Sequence, residues 1–311
     1  MTNMYLSYNQ YLKEKFGQRV FKVCIDGGFD CPNRDGTKAE GGCRFCDVTG
    51  SSSRTNPEGS AIQAQVLENI RIRQSRFKAK KFIAYFQSFS NTYAPLESLK
   101  LRYDAAISAH EDIVGLSIAT RTDCVDEEKI KLIASYKEKL PYVSIEYGLQ
   151  SIHDHTLDLL NCQHDFSDFE NAFALAEKYQ LEHCIHVILG LPGESREDML
   201  QTARMLKKMN VRGVKIHMLV AMERTWLARQ YKLGKWKPME FDEFIDCVCD
   251  FVLELPPTCV IHRLGGNGHP LHTVAPAWVK ERKTELIPTI NKELERRLKA
   301  LEQKQPCKLA V

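Results

Sequence analysis

Short apolar runs alternate with amphipathic stretches along most of the chain, and this alternation restricts the fold more than any other feature of the sequence. Residues 19–25 (RVFKVCI), 81–88 (KFIAYFQS), 112–120 (DIVGLSIAT), 142–151 (YVSIEYGLQS), 183–191 (HCIHVILGL) and 213–220 (GVKIHMLV) read as six strands, with 259–266 (CVIHRLGG) a candidate seventh. Most of these runs are apolar without a strict two-residue alternation, as expected of strands buried on both faces. Helical stretches fall at 61–78, 96–110, 126–139, about 225–232 and 241–255. Ser167 with Glu170, and Ser195 with Asp198, are capping-box pairs that open two further helices. Right-handed crossovers between successive strands give a parallel sheet. About six such units predict an α/β chain folded as a partial (β/α)6 barrel, whose site lies at the C-terminal ends of its strands. The charged stretch from 278 to 304 repeats Leu286, Ile290, Leu294, Leu298 and Leu301 at helical spacing and reads as a C-terminal helix docked on the barrel.

One segment cannot belong to a core. Residues 31–47, CPNRDGTKAEGGCRFCD, place three cysteines among glycine, proline and charged residues, inside an irregular loop spanning 26–60. A loop that long is expected to be functional or disordered. No apolar run approaches the roughly 20 residues needed to span a bilayer, and the polar N-terminus MTNMYLSYNQYLKEKF is not a secretory signal. A cytoplasmic chain with no membrane association is therefore expected, where disulfides are not. Most of the 11 cysteines read as buried small hydrophobes. Cys31, Cys43 and Cys46 do not, and their spacing leaves three readings open. Zinc needs a fourth ligand, and none stands at ligand spacing nearby. A thioredoxin-like CxxC belongs at a helix start beside a βαβ unit, not in a loop with a third cysteine upstream. An iron–sulfur cluster held by three thiolates leaves one iron open to a reactant.

The same loop resembles the cluster loop of the radical S-adenosylmethionine (SAM) superfamily, in the branch of the elongator catalytic subunit. CPNRDGTKAEGGCRFC resembles that branch's Cys-Pro-His…Cys-x-x-Cys loop, SIEYGLQS its Glu-x-Gly-x-Gln-Ser strand, and HVILGLPGES its His-x-x-x-Gly-Leu-Pro-Gly strand and turn. VKIHMLV and RTWLARQYKLGKW resemble its sixth strand and following helix. The likeness runs from about 19 to 265 and is nearest the short YhcC-like radical SAM family, which lacks the acetyltransferase domain of the elongator subunit. It implies three parts: an N-terminal extension over 1–18, a radical SAM barrel over 19–265 and a C-terminal helical extension over 266–311.

The resemblance also implies cofactors and roles. Cys31, Cys43 and Cys46 would hold a [4Fe-4S] cluster, with SAM chelating the fourth iron and a one-electron donor such as a flavodoxin or ferredoxin supplying the reductant. Phe45 would lie against the adenine, and Gln87 and Ser88 near the SAM amino group. Glu146 and Gln150 would both point into the barrel, near ribose and methionine, if the pleat of their strand stays regular. His186 would join them, and Lys215 would face an anionic group, either the SAM carboxylate or a substrate phosphate. No catalytic residue is assigned. The branch's Asn-Arg-Gly-His is replaced here by NCQH (161–164), so either another residue takes the arginine's role or SAM is held differently. Cys162, at that place, reads first as a packing residue and second as a group serving the substrate. By the same analogy the substrate would be a wobble uridine of tRNA. The net charge of +3 gives no global nucleic-acid signature, but RIRQSRFKAKK (71–81) has six basic and no acidic residues and is a candidate phosphate-contacting patch. A small metabolite or peptide substrate, or a non-catalytic zinc-loop RNA-binding protein, are the alternatives.

Overall fold

The computed structural model describes residues 4–47, 49–50, 61–265 and 272–304. Its strands are β1 (Leu6–Ser7), β2 (Val20–Ile25), β3 (Lys81–Phe86), β4 (Ile113–Thr120), β5 (Tyr142–Gln150), β6 (Glu182–Leu189), β7 (Gly213–Met218), β8 (Ala221–Met222), β9 (Val260–Leu264) and β10 (Thr273–Ala275). Eight of them form one sheet in the order β1-β9-β7-β6-β5-β4-β3-β2, with every pair parallel. β8 and β10 make a separate antiparallel ribbon. The expected α/β partial barrel is present. Its six anticipated strands are joined by β9, the candidate seventh, and by β1, which two residues are too short to signal in the sequence.

The sheet is strongly curled. β3 and β7 are four strand spacings apart in the order of the sheet, roughly 19 Å if it were flat. Yet Lys215 on β7 donates to the Tyr85 hydroxyl on β3 at 2.9 Å. Curling gives the strands two unlike faces. Outward, Val23, Phe82, Ala84, Leu116, Val143, Ile145, Ile185, Val214 and Ile216 are buried against the helices. Inward come Lys22, Tyr85, Ser117, Ser144, Glu146, His186 and Lys215, which hydrogen-bond to one another across the hollow. The central strands therefore do alternate, apolar outside and polar inside, because the inward side chains form a hydrogen-bonded polar network and not a second apolar core.

Helix α1 (Tyr8–Phe16) closes the N-terminal end of this hollow. Ser7 caps it, Leu12 packs with Val20, Ile83 and Tyr142, and the Tyr8 ring stacks on His262 of β9 at 4.0 Å between centroids. The crossover helices α2 (Ile62–Phe77), α3 (Leu96–Ile107), α4 (Glu127–Ser135), α5 (Asp154–Leu159), α6 (Phe166–Lys178) and α7 (Arg196–Lys208) cover the outer face. Ser195 and Asp198 form the expected capping box of α7. For α6 the box is Asp165 with Asp168, not Ser167 with Glu170. Asp165 offers the same acceptor two residues earlier, and the Ser167 hydroxyl donates to it at 2.7 Å.

Between the two ribbon strands lie α8 (Trp226–Lys232) and α9 (Phe241–Glu254), and after them α10 (Trp278–Glu281) and α11 (Leu286–Lys304). Leu286, Ile290 and Leu294 of α11 are buried in the main core with α9, so the docked-helix reading holds for the first half of the repeat, while Leu301 is 52% exposed. No described helix is long and apolar enough to cross a membrane.

Candidate active site

The segment that leaves β2 is strapped across the C-terminal mouth of the half-barrel. The Cys31 carbonyl accepts from the amides of Arg34 and Asp35 at 2.8 and 3.2 Å, and the Cys46 amide returns to the Cys43 carbonyl at 2.9 Å, closing the CxxC turn. Asn33 donates to the Asn161 carbonyl at 2.6 Å, and Asn161 donates back to the Gly42 carbonyl at 3.1 Å. Arg44 bonds the Leu160 carbonyl through its amide and the Leu159 carbonyl through its guanidinium. Lys38 pairs with Asp123 at 2.6 Å, and the Leu227 amide donates to the Arg44 carbonyl at 3.3 Å. The loop is thus fixed to the end of α5, to the segment after β4 and to α8. Gly42 is necessary for this path: its φ is +77° and a Cβ there would meet the Arg34 side chain at 2.9 Å.

The three cysteines are half-buried beside two cations. The Cys162 thiol beside Cys43, with Arg121, Asn33 and Arg34, outweighs burial and holds it down to about 7. Burial and the neighbouring Cys43 push Cys46 up to about 11, and burial raises Cys31. Cys162 is therefore a fourth thiol at the loop, absent from any local spacing pattern because it arrives from after β5. As they stand, the thiols are not gathered as one zinc ion would hold them. Tetrahedral Zn–S bonds of about 2.3 Å put ligand sulfurs roughly 3.8 Å apart. No three of these sulfurs lie within 4.8 Å of one another. A polynuclear cluster, whose irons occupy separate corners, takes ligands that stand wider.

Phe45 joins an apolar cluster with Leu160, Cys162, Ile188, Leu191, Leu219 and Leu227. Gln87 and Ser88 lie in the turn after β3 that braces the loop from below: Phe89 and Ser90 donate amides to Gly50 and Asp30 at 3.0 and 3.3 Å. Arg121, at the end of β4, was not singled out by the sequence. It is 9% exposed, bidentate to Asp123 at 2.8 Å, and donates to the Cys162 carbonyl at 2.8 Å. An arginine thus reaches the place where the elongator pattern carries one, but from a different strand. Only its position after an apolar strand, with Asp123 two residues on, hinted at it.

Below the mouth, Glu146 is 0% exposed and gathers the interior. Its carboxylate accepts from Ser117 at 2.9 Å, Tyr85 at 3.0 Å, His186 at 2.7 Å and Lys215 at 3.3 Å, and also from Lys22. Burial alone would raise this carboxyl, but Lys22, Lys215 and His186 together hold it well below the usual range. Burial, reinforced by Lys215, lowers His186 to about 4, so its imidazole is neutral near pH 7. His217 is pushed well down by burial and by His186, and its Nε2 is buried without a hydrogen-bond partner among the described residues. Glu146, Cys184 and His186 bring ligand atoms within 4.8 Å of one another. With two ammonium groups already on that carboxylate, the pocket repels a further cation and favours an anionic guest.

Gln150 does not follow the regular pleat. The β5–β6 register shifts between Gly148 and Gln150, and Gln150 has φ +71°. This left-handed turn swings its amide back over Gly148, where a Cβ would meet Nε2 at 2.9 Å. The sequence-derived residues thus fall into two groups. Cys31, Cys43, Cys46, Phe45, Gln87 and Ser88 are at the mouth, and Glu146, His186 and Lys215 are in the interior.

The sequence pattern of the Radical SAM superfamily matches residues 34–206, and that of the Radical_SAM C-terminal domain matches 211–296. The chain belongs to the radical SAM superfamily. It is 39% identical to the uncharacterized protein YtqA of Bacillus subtilis over 293 residues, 94% of this chain and 90% of that one. It is 33% identical to protein YhcC of Escherichia coli K12, over 89% and 88% of the two chains. Over half of its length (50%) it is 28% identical to a tRNA uridine(34) acetyltransferase of Dehalococcoides mccartyi, of which that stretch covers 34%. Among solved structures, archaeal Elp3 of Methanocaldococcus infernus superposes with a TM-score of 0.66 at 19% identity, over 89% of this chain and 63% of that one, a likeness of fold. Radical SAM enzymes work with a [4Fe-4S] cluster and SAM, and three thiols on one loop with Arg34 and Arg121 beside them suit such a cluster.

Proposed function

We propose that this radical SAM enzyme acts on the wobble uridine of tRNA, on the base or on its side chain. The partial likeness to tRNA uridine(34) acetyltransferases supports the substrate. The observation that carries the site is the pairing of a strapped three-thiol loop at the mouth with a charged, polar hollow directly below it. In this reading Cys31, Cys43 and Cys46 hold the cluster, and a flavodoxin or ferredoxin is the electron donor. When bound, cluster and SAM together supply a 5′-deoxyadenosyl radical that removes hydrogen from an unreactive C–H bond.

The chain's own residues prepare the place. Asn33 donates to the Cys43 sulfur at 3.4 Å, and Arg121 and Arg34 offset thiolate charge. Phe45 and its apolar neighbours exclude water on one side of the loop. Glu146 positions Lys22, Lys215 and the neutral His186, and the two ammonium groups, exceeding its single charge, receive an anionic group of SAM or substrate.

Two measurements test this. Anaerobically reconstituted protein should be brown, hold about four irons per chain, and cleave SAM when given reductant. Nucleoside digests of tRNA from wild-type and deletion strains should then differ at a modified uridine. Unchanged tRNA, with SAM cleavage intact, would leave the enzyme class standing and turn the substrate to a metabolite or peptide.

A further inference from the structure

The basic run at 71–81 is not at the mouth. It spans the C-terminal end of α2 and the first residue of β3, so it lies at the N-terminal end of the strands, opposite the cysteine loop. Two of its cations are also engaged, Arg71 with Glu68 at 2.7 Å and Lys81 with Asp112 at 2.9 Å. A second basic stretch is better placed. Residues 224–237, RTWLARQYKLGKWK, hold Arg224, Arg229, Lys232, Lys235 and Lys237 and no acidic residue. All five cations are exposed, and none is in an ion pair with a described residue. Glu223, the nearest acid upstream, is occupied by His272 at 3.1 Å. Among the described residues, some exposed arginines elsewhere are matched to acids, as Arg204 is to Glu197 and Arg296 to Glu293, while Arg19, Arg76 and Arg263 are not, so the density of unpaired cations and their place beside the loop single out this stretch.

Three further features distinguish this stretch. It follows the β8 ribbon at the C-terminal end of β7, and α8 touches the cysteine loop directly. The Leu227 amide donates to the Arg44 carbonyl, and the Arg44 guanidinium lies 4.7 Å from the centre of the Trp226 ring. Aromatic rings are interleaved with the cations: Tyr231 is 39% exposed and lies edge-on to Trp236 at 6.5 Å. Finally, Arg224, Arg229 and Lys232 rim a cavity of about 300 Å³ with Thr225, Ala228 and Leu233.

We propose that this face docks RNA, its unpaired cations on backbone phosphates and Tyr231 against an unstacked base, and so presents a nucleotide to the mouth of the half-barrel. Cations without acidic partners release counterions when they meet phosphates, which supplies sequence-independent affinity. Exposed rings beside them give bases a stacking platform. An acidic protein would match the charge but not the rings. The proposal rests on the RNA-directed reading above and adds the surface that reading lacks.

The test uses reconstituted holoprotein and total cellular tRNA, with binding followed by fluorescence anisotropy across a salt series. The triple variant Arg229→Glu, Lys232→Glu, Lys235→Glu should bind at least about tenfold more weakly, with a salt slope shallower by about three, roughly one per lost phosphate contact. Tyr231→Ala should weaken binding roughly tenfold without changing that slope. The control Arg73→Glu, Arg76→Glu, Lys78→Glu should bind within about twofold of wild type. Iron content and substrate-free SAM cleavage should be unchanged in all of them, which shows that they fold. If tRNA binds wild type but the triple variant retains that affinity, or the 73/76/78 variant loses it, the docking face is wrong and the tRNA substrate survives. Wild-type protein that cleaves SAM yet binds no tRNA, or releases it to polyglutamate as readily as to unlabelled tRNA, overturns both.

Discussion

The mouth and the interior of the half-barrel each place cations around groups that carry or can acquire negative charge, but only one of them is complete in the bare chain. In the interior the Glu146 carboxylate already has partners from β2, β3, β4, β6 and β7. At the mouth, Arg34 and Arg121 stand beside thiols that burial keeps partly protonated. The first arrangement is folded-in charge, and losing a member leaves buried ions unmatched. The second waits for a ligand to fix the thiolates. Substitutions in the two places should therefore damage different properties.

The largest separation comes from Cys43→Ser. Reconstituted iron should fall from about four per chain to near zero, while urea unfolding of the apoprotein shifts by less than about 1 kcal/mol. A collapsed apoprotein would make the mouth part of the core and erase the distinction. Glu146→Gln should do the reverse. Leaving two buried ammonium groups without a carboxylate costs about 3–5 kcal/mol, read from the same urea curves at pH 7.

A finer contrast uses pH. His186 titrates near 4 when folded, against roughly 6.5 in an unfolded chain. Between those values the unfolded state binds more protons, so stability falls as pH drops through this window. The Glu146 carboxylate, depressed in the fold, loses its contribution only at lower pH. His183 shares the window because its value is also lowered to about 4, by burial. His186→Asn should flatten the stability–pH slope by up to one proton, about 1.4 kcal/mol per pH unit, and an unchanged slope would mean that His186 is charged in the fold. The smallest effect is expected at the mouth for Arg121→Lys. It keeps the charge but loses the bidentate grip on Asp123, so the variant should assemble its cluster and lose iron several-fold faster to a chelator.

Much of the sheet was legible because each strand needs an apolar outward face, and Val143, Ile145, Val214 and Ile216 announce it. Two residues such as Leu6–Ser7 carry no pattern, so β1 was not. The inward face was misjudged as apolar, since short strands with polar residues at alternate positions, as in GVKIHM, still look hydrophobic on average. Within the site, residues inside a local motif were legible: Cys31, Cys43, Cys46 and Glu146. Those delivered by topology were not. Lys22, Tyr85 and Arg121 come from separate strands or their ends and meet their partners only once the sheet curls, and Cys162, singled out in the sequence, shows its place beside Cys43 only when the turn after α5 packs on the loop. Gln150 needed a bulge that a regular pleat does not foretell. Basic composition alone does not separate 71–81 from 224–237, which look alike in sequence and lie at opposite ends of the strands.

The closure of the half-barrel has a consequence for synthesis. β1 pairs with β9, and the Tyr8 ring waits for His262, so β1 docks against a strand made about 250 residues later. Until that late strand emerges, Leu6 and Ser7 lack their strand partners and Tyr8 lacks the ring it stacks on. A nascent chain stalled before residue 260 would carry Cys31, Cys43, Cys46 and every partner of Glu146, yet leave β1 and Tyr8 without the strand they dock on.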